Sequence, residues 1–155
     1  MNGIGTGTGL IPVTAATPDR EIEELHFYVE GTPAPQGSKS PNRGGVGFHE
    51  ASKKLPAWRK RLIEGAEAAL AGREGFGPAD PIYCGLAFYM PRGRTVKRTH
   101  PTVKPDVDKL ERAVLDALTI AGVWGDDAQV VSGTRGKRYA DECAPGVRIT
   151  VRRAI

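Results

Sequence analysis

Residues 104–131, KPDVDKLERAVLDALTIAGVWGDDAQVV, constrain the fold more than any other stretch of the chain. Leu110, Val114, Ala117 and Ala121 return at intervals of three and four residues, so they form one apolar stripe of an α-helix that must face a core. Pro105 sets the upstream boundary, Asp106 opens the helix, and Gly122 follows its end near Ile120 as a stop. VWGDD then turns the chain, and a strand starts from about Ala128.

The flanking segments supply the rest of a sheet. LHFYVEG at 25–31 is aromatic and β-branched and stops at a Gly-Thr-Pro turn, which predicts a strand. PIYCGLAFYM at 81–90 predicts a second, and GVRITVRRA at 146–154 alternates apolar with basic residues, so one face is buried and the other positive. Residues 50–71 form another helix, with Leu55, Trp58, Leu62, Ala66 and Ala69 on its apolar side and Gly72 after it. The Pro-, Gly- and Ser-rich segment 32–47 and the polar, Pro-punctuated segment 91–104 are loops. The expected class is α+β: a small mixed sheet with two main helices.

A chain of 155 residues is read as one domain at 23–155 behind a flexible Gly- and Thr-rich extension at 1–22. No apolar run approaches the ~20 residues of a membrane span, and no secretory signal is expected. The two isolated cysteines, Cys84 and Cys143, have no metal-binding spacing and fit a reducing cytoplasm. His26, His49 and His100 are scattered, which argues against a zinc site.

The net charge of +4 is a weak pointer to nucleic acid; its distribution says more. PRGRTVKRTHPTVK at 91–104 carries Arg92, Arg94, Lys97, Arg98, His100 and Lys104 and no acid. Segment 31–48 also lacks acids and carries Lys39 and Arg43. Arg92, Arg94, Lys97 and Arg98 are candidates for contacts to DNA phosphates, which position a duplex without reading its sequence. A solvated loop is the competing reading. Lys53, Lys54, Arg59, Lys60 and Arg61 are read as a solvated helix face. Trp58 belongs to the core at its spacing, although Trp58 or Phe48 could stack on an opened base.

Asp106 and Asp108 form a D-x-D pair, and Asp126 and Asp127 lie after the helix. Hydrolysis of a phosphodiester needs an activated water and charge neutralisation at phosphorus, and carboxylates on short segments can hold a Mg²⁺ ion that supplies both. The competing reading makes Asp106 a helix cap and Asp126-Asp127 a turn. Arg112, four residues after Asp108, shares its helix face and either pairs with it or holds the scissile phosphate. A helix from Asp106 to Ile120 is about 20 Å long at 1.5 Å per residue. Asp127 therefore meets Asp106 only if GVWGD folds back along the helix, the simpler arrangement, or if a second subunit supplies a group.

These residues resemble the RusA family of Holliday junction resolvases. K-P-D-x-D, A-V-L-D-A-L and G-V-W-x-D-D-A-Q-V-V stand in the family's order without a gap. G-T-P-x-P-Q-G-S-K after the first strand is similar to the family's start, and Lys137 with Arg138 fits a basic position after D-D-A-Q. The resemblance covers about residues 25–153. It implies a homodimeric α+β endodeoxyribonuclease that binds four-way junctions and makes paired nicks with Mg²⁺, for which Mn²⁺ can substitute. It places the essential metal-holding acids on Asp106, Asp108 and Asp127, with Asp126 the lesser member of its pair. It also places a catalytic basic residue on Arg112 and a DNA contact on Lys137. The arginine departs from a lysine in the family's best-known member, and Lys109 replaces an asparagine. Arginine cannot serve as a proton donor at ordinary pH, which leaves phosphate holding as its role. The implied setting is the bacterial cytoplasm, or the host cytoplasm for a phage-encoded chain.

Two other functions stay open on the residues alone. A non-catalytic, structure-selective DNA-binding protein would use the aspartates as caps and turns. A phosphoryl or glycosyl transferase could use D-x-D to hold a metal–diphosphate, but no Gly-rich phosphate loop is present.

Overall fold

The computed structural model describes residues 22–37 and 46–155, with backbone alone for residues 46–52. The expected extension at 1–22 lies outside this range except for Ile22, which is buried. Lys39, Arg43 and the side chains of Phe48 and His49 also lie outside it.

The described elements run β1 (Glu24–Glu30), α1 (Val46–Leu70), β2 (Ile82–Met90), α2 (Val107–Ala121), β3 (Val130–Tyr139) and β4 (Gly146–Arg153). A single 3-10 turn, Asp127–Gln129, leads into β3. The sheet order is β1-β4-β2-β3. β4 is antiparallel to both β1 and β2, whereas β2 and β3 are parallel. The expected α+β class with a mixed sheet and two helices is the observed one. The parallel pair follows from the connection: two neighbouring strands joined through a helix return in the same direction.

Both helices cover one face of the sheet. Trp58, Leu62 and Ala66 of α1 and Leu110, Val114 and Ala117 of α2 are buried against Val29, Phe88 and the inward residues of β4, Val147, Ile149 and Val151. Trp58 is thus a core residue, as its spacing predicts. α1 begins at Val46, four residues upstream of its expected start, and continues through Pro56. α2 ends where Gly122 takes a φ of 86°, and the Gly122 N–H caps the carbonyls of Leu118 and Thr119. That left-handed conformation is cheap for glycine and costly for a side chain.

Among the described residues no helix covers the other sheet face, which is positive. Arg148 of β4 stands directly across from Tyr28, with its guanidinium 5.4 Å from the ring centroid. Arg152 covers Tyr83 at 4.1 Å and Arg138 covers Tyr89 at 5.7 Å.

Among the described residues β3 is an edge strand. It pairs with β2 on one side, and residues 131–136 are all exposed. Ile82 pairs with Val130 but Tyr83 with Ser132, so Val131 is the extra residue of a bulge.

Candidate active site

Asp106 occupies the N-cap position of α2 with extended backbone, φ −70° and ψ 142°. Its carbonyl oxygen accepts the N–H groups of Lys109 and Leu110, both at 3.1 Å. Its carboxylate makes no capping hydrogen bond and is exposed. The structural explanation for an aspartate here is therefore missing its main element, because a capping side chain satisfies free N–H groups of the first turn. Asp108, one residue into the helix, is exposed too.

Beside Asp106 lies a groove of about 750 Å³ between the 32–37 segment, the 91–105 loop and the start of α2. Lys54, Arg98, Lys104, Lys109 and Lys137 line it, and among the described residues Asp106 is its one lining acid. The segment Thr32–Gly37 forms a wall because it is fastened to α2: the Gln36 N–H donates to the Lys109 carbonyl at 3.0 Å. Arg59 Nη2 secures Gln36 Oε1 at 2.9 Å and also lies 3.7 Å from Asp116. Lys137 Nζ donates to the carbonyls of Val103 and Pro105, both at 2.8 Å. That fixes the peptide leading into Asp106 and places an ammonium beside it.

The two aspartates after α2 have separate work. Asp126 caps the 3-10 turn: its Oδ1 accepts the Ala128 N–H at 2.9 Å. Gln129 reciprocates, its Oε1 accepting the N–H groups of Gly125 at 2.8 Å and Asp126 at 3.1 Å. Its Nε2 donates to the carbonyls of Gly77 and Asp80. Asp127 caps nothing and is exposed. Partial burial first, then the neighbouring Asp126 and the charge of Asp116, push its carboxyl above its usual range.

The fold-back expected of residues 122–127 stops short. The Val123 N–H donates to the Leu118 carbonyl, and Trp124 Nε1 donates to Thr119 Oγ1 at 2.7 Å, so the chain is tied down at the C-terminal end of α2. Trp124 is itself buried. Asp127 consequently feels Asp116, ten residues along the helix from Asp106, or about 15 Å at the helical rise. Among the described residues no three of the acids, histidines and cysteines are close enough to hold a metal within one chain. The simpler arrangement, with Asp106, Asp108 and Asp127 gathered in a single chain, is not the one adopted. The reason is the anchoring of Val123 and Trp124.

The expected basic contacts divide. Arg94 and Lys97 are exposed. Arg98 lines the groove and donates to the Tyr139 hydroxyl at 2.8 Å. Arg92 makes structural contacts: Nε and Nη2 hold Asp141 at 2.8 and 3.0 Å, and Nη1 donates to the carbonyls of Val96 and Arg98. Its guanidinium also stacks 4.1 Å from the Tyr139 centroid. Arg112 is exposed, and among the described residues no ion pair joins it to Asp108. Sequence reasoning missed Lys54 and Gln36 as parts of the groove. The only signal for Gln36 was its place in the G-T-P-x-P-Q segment. Cys84 has no place in the chemistry, since burial pushes its thiol up to about 12.

A carboxylate pair beside a groove that bears four lysines and an arginine suits a hard divalent ion and a phosphodiester. Among the described residues no helix is long and apolar enough to cross a membrane. No curated protein matches the chain. The family model described as Endodeoxyribonuclease RusA matches residues 30–152, from the last residue of β1 to the penultimate residue of β4, and so takes in the groove, both ends of α2 and β3. The chain belongs to the RusA endodeoxyribonuclease family.

Proposed function

We propose that this chain resolves four-way DNA junctions by paired nicks, as a homodimer that depends on Mg²⁺ or Mn²⁺. The observation that carries the reading is the Asp106 carboxylate, uncommitted to its own helix and exposed at a groove whose mainly apolar wall also bears Lys54, Arg98, Lys104, Lys109 and Lys137. Such a groove draws in a phosphate backbone, and the acid marks where a metal would meet it. Asp106 and Asp108 would hold the divalent ion, joined by Asp127. Bound there, the ion supplies an activated water and neutralises charge on the phosphate.

The residues of the chain do the remainder. Lys137 holds the 103–105 carbonyls and so keeps Asp106 in place. Lys104, Lys109 and Arg98 take phosphates on either side of the cut. Arg112, permanently charged and exposed, holds the scissile phosphate without donating a proton. Water adds across one P–O bond, leaving a phosphomonoester and a free hydroxyl. Two cuts in opposed strands of a nearly two-fold junction call for two identical sites, which a two-fold dimer provides.

Cleavage of a synthetic four-way junction, compared with linear duplex of the same sequence and with and without Mg²⁺, tests the reading. Symmetrical nicks on the junction alone, dependent on Mg²⁺, are expected. Junction binding with no cutting under any divalent ion would instead establish a structure-selective binding protein.

A further inference from the structure

A second hollow, of about 570 Å³, adjoins the groove at Asp106. Lys104, Asp106 and Lys137 border both, whereas Asp108 and Arg135 border the hollow alone. Both members of the D-x-D pair therefore meet in the hollow, with Arg135 in its wall.

The strand register explains how Arg135 comes to be there. Arg135 pairs with Leu86 and Lys137 with Phe88, both buried under the helices. Residues in register on neighbouring strands share a face, so both cations rise from β3 toward α2. The Lys137 ammonium is spent on the carbonyls of Val103 and Pro105. Arg135 is held differently: its Nη1 donates to Glu111 Oε1 at 2.6 Å. Glu111 follows Asp108 by three residues and so lies on the same side of α2. Among the described residues the Nε and Nη2 of Arg135 make no hydrogen bond, and no ion pair joins it to Asp106 or Asp108. A guanidinium is a fork of N–H donors. Here Glu111 occupies one prong and the remainder is free.

We propose that Arg135 is a phosphate-binding residue, which takes the DNA strand crossing the Asp106–Asp108 hollow at a phosphate next to the one that Arg112 holds. The proposal rests on the nuclease reading for the identity of that strand. A free fork in a hollow bordered by two further cations suits the paired oxygens of a phosphate, which guanidinium binds through two N–H groups at once. Glu111 is the positioning residue. The other acids bordering the hollow are Asp106 and Asp108, and an arginine closed onto either would put a fixed positive charge where the divalent ion has to sit. By taking Arg135 first, Glu111 leaves those carboxylates open and aims the cation at the strand instead.

The test is binding of the full chain to a synthetic four-way junction in chelator, followed against salt concentration. Glu111→Gln is compared with the Glu111→Gln, Arg135→Gln double variant, because Arg135→Gln alone would leave Glu111 uncompensated and repel DNA by itself. Each phosphate that a protein neutralises adds about 0.9 to the slope of log affinity against log salt. The double variant should lose about 0.9 of slope per occupied site, which is about eightfold in affinity at about 0.1 M salt. Arg135→Lys in the same background should keep the slope, since it keeps the charge. Arg148→Gln, which removes an equal charge from the far sheet face, should not alter it. Arg135→Met preserves an unbranched stem against α2 and repeats the measurement if the glutamine variant folds poorly. An unchanged slope after loss of Arg135, or an equal change from Arg148→Gln, overturns the assignment, and wild-type nicking with Mg²⁺ would still leave the nuclease reading standing. The expected loss of slope in a protein that cuts no junction with any divalent ion keeps Arg135 as a phosphate contact and removes the nuclease reading.

Discussion

Asp126 and Gln129 hold each other across the 3-10 turn: the Gln129 amide oxygen receives the Asp126 N–H at 3.1 Å while the Asp126 carboxylate caps Ala128. This capping box separates two adjacent aspartates that the sequence alone leaves equivalent. Asn caps about as well as Asp. Asp126→Asn should therefore leave the turn folded and most of the nicking intact, whereas Asp127→Asn should lower nicking at least about a hundredfold, the upper end of what loss of a mere supporting group costs at a metal site. Junction binding should persist in both. Initial nicking rates and gel-shift affinities for the two proteins decide it; equal losses would erase the distinction.

Gln129 is a structural linchpin outside the chemistry. Its side chain takes two N–H groups and donates to the carbonyls of Gly77 and Asp80, tying the turn to the loop before β2. Gln129→Ala should cost about 2 kcal/mol, the scale expected when partly buried partners lose their hydrogen bonds. Urea unfolding measures this directly. A midpoint unchanged from wild type would mean that water replaces the glutamine without loss.

Two glycines of β3 should respond in opposite ways. A Cβ on Gly133 would collide with the Cys84 carbonyl oxygen, whereas one on Gly136 would meet nothing within 4 Å. Gly133→Ala should lose about 3 kcal/mol or more through disruption of the β2–β3 pairing, and Gly136→Ala less than about 0.5 kcal/mol. Thermal melts of the two variants side by side provide the comparison.

The Arg92–Asp141 pair should give the 91–104 loop an acid limit. The Arg92 hydrogen bonds, and then its charge, hold the Asp141 carboxyl below its usual range. A carboxyl lowered on folding stabilises above its unfolded value, and that contribution is lost as pH falls through the lowered one. The Arg92 Nε–H resonance should thus be constant above the ordinary aspartate value of about 3.9 and shift below it. A midpoint above that value would show that the pair does not form in solution. Exposure of both side chains keeps the effect on global stability small.

Most elements were legible because their periodicities are strong. α2 was expected from Asp106 to about Ile120 and runs Val107–Ala121; β4 was expected over 146–154 and runs Gly146–Arg153. Strand order was not legible, because hydrophobic alternation says which face is buried and nothing about which strand is next. The exposed position of Asp106 beside a basic loop could be anticipated. The role of Arg92 could not: its stretch has no acid, but Asp141 reaches it from 49 residues away. Nor could the failure of residues 122–127 to travel back along α2, which depends on Trp124 finding Thr119 and a buried seat.

The length of α2 has a biological corollary. Under the dimer proposed above, a newly made molecule carries Asp106 and Asp127 at separate ends of α2, and it can make two opposed cuts only after meeting its twin. At concentrations where few molecules are paired, cleavage would then rise with the square of protein abundance. Scarcity itself would act as the safety catch.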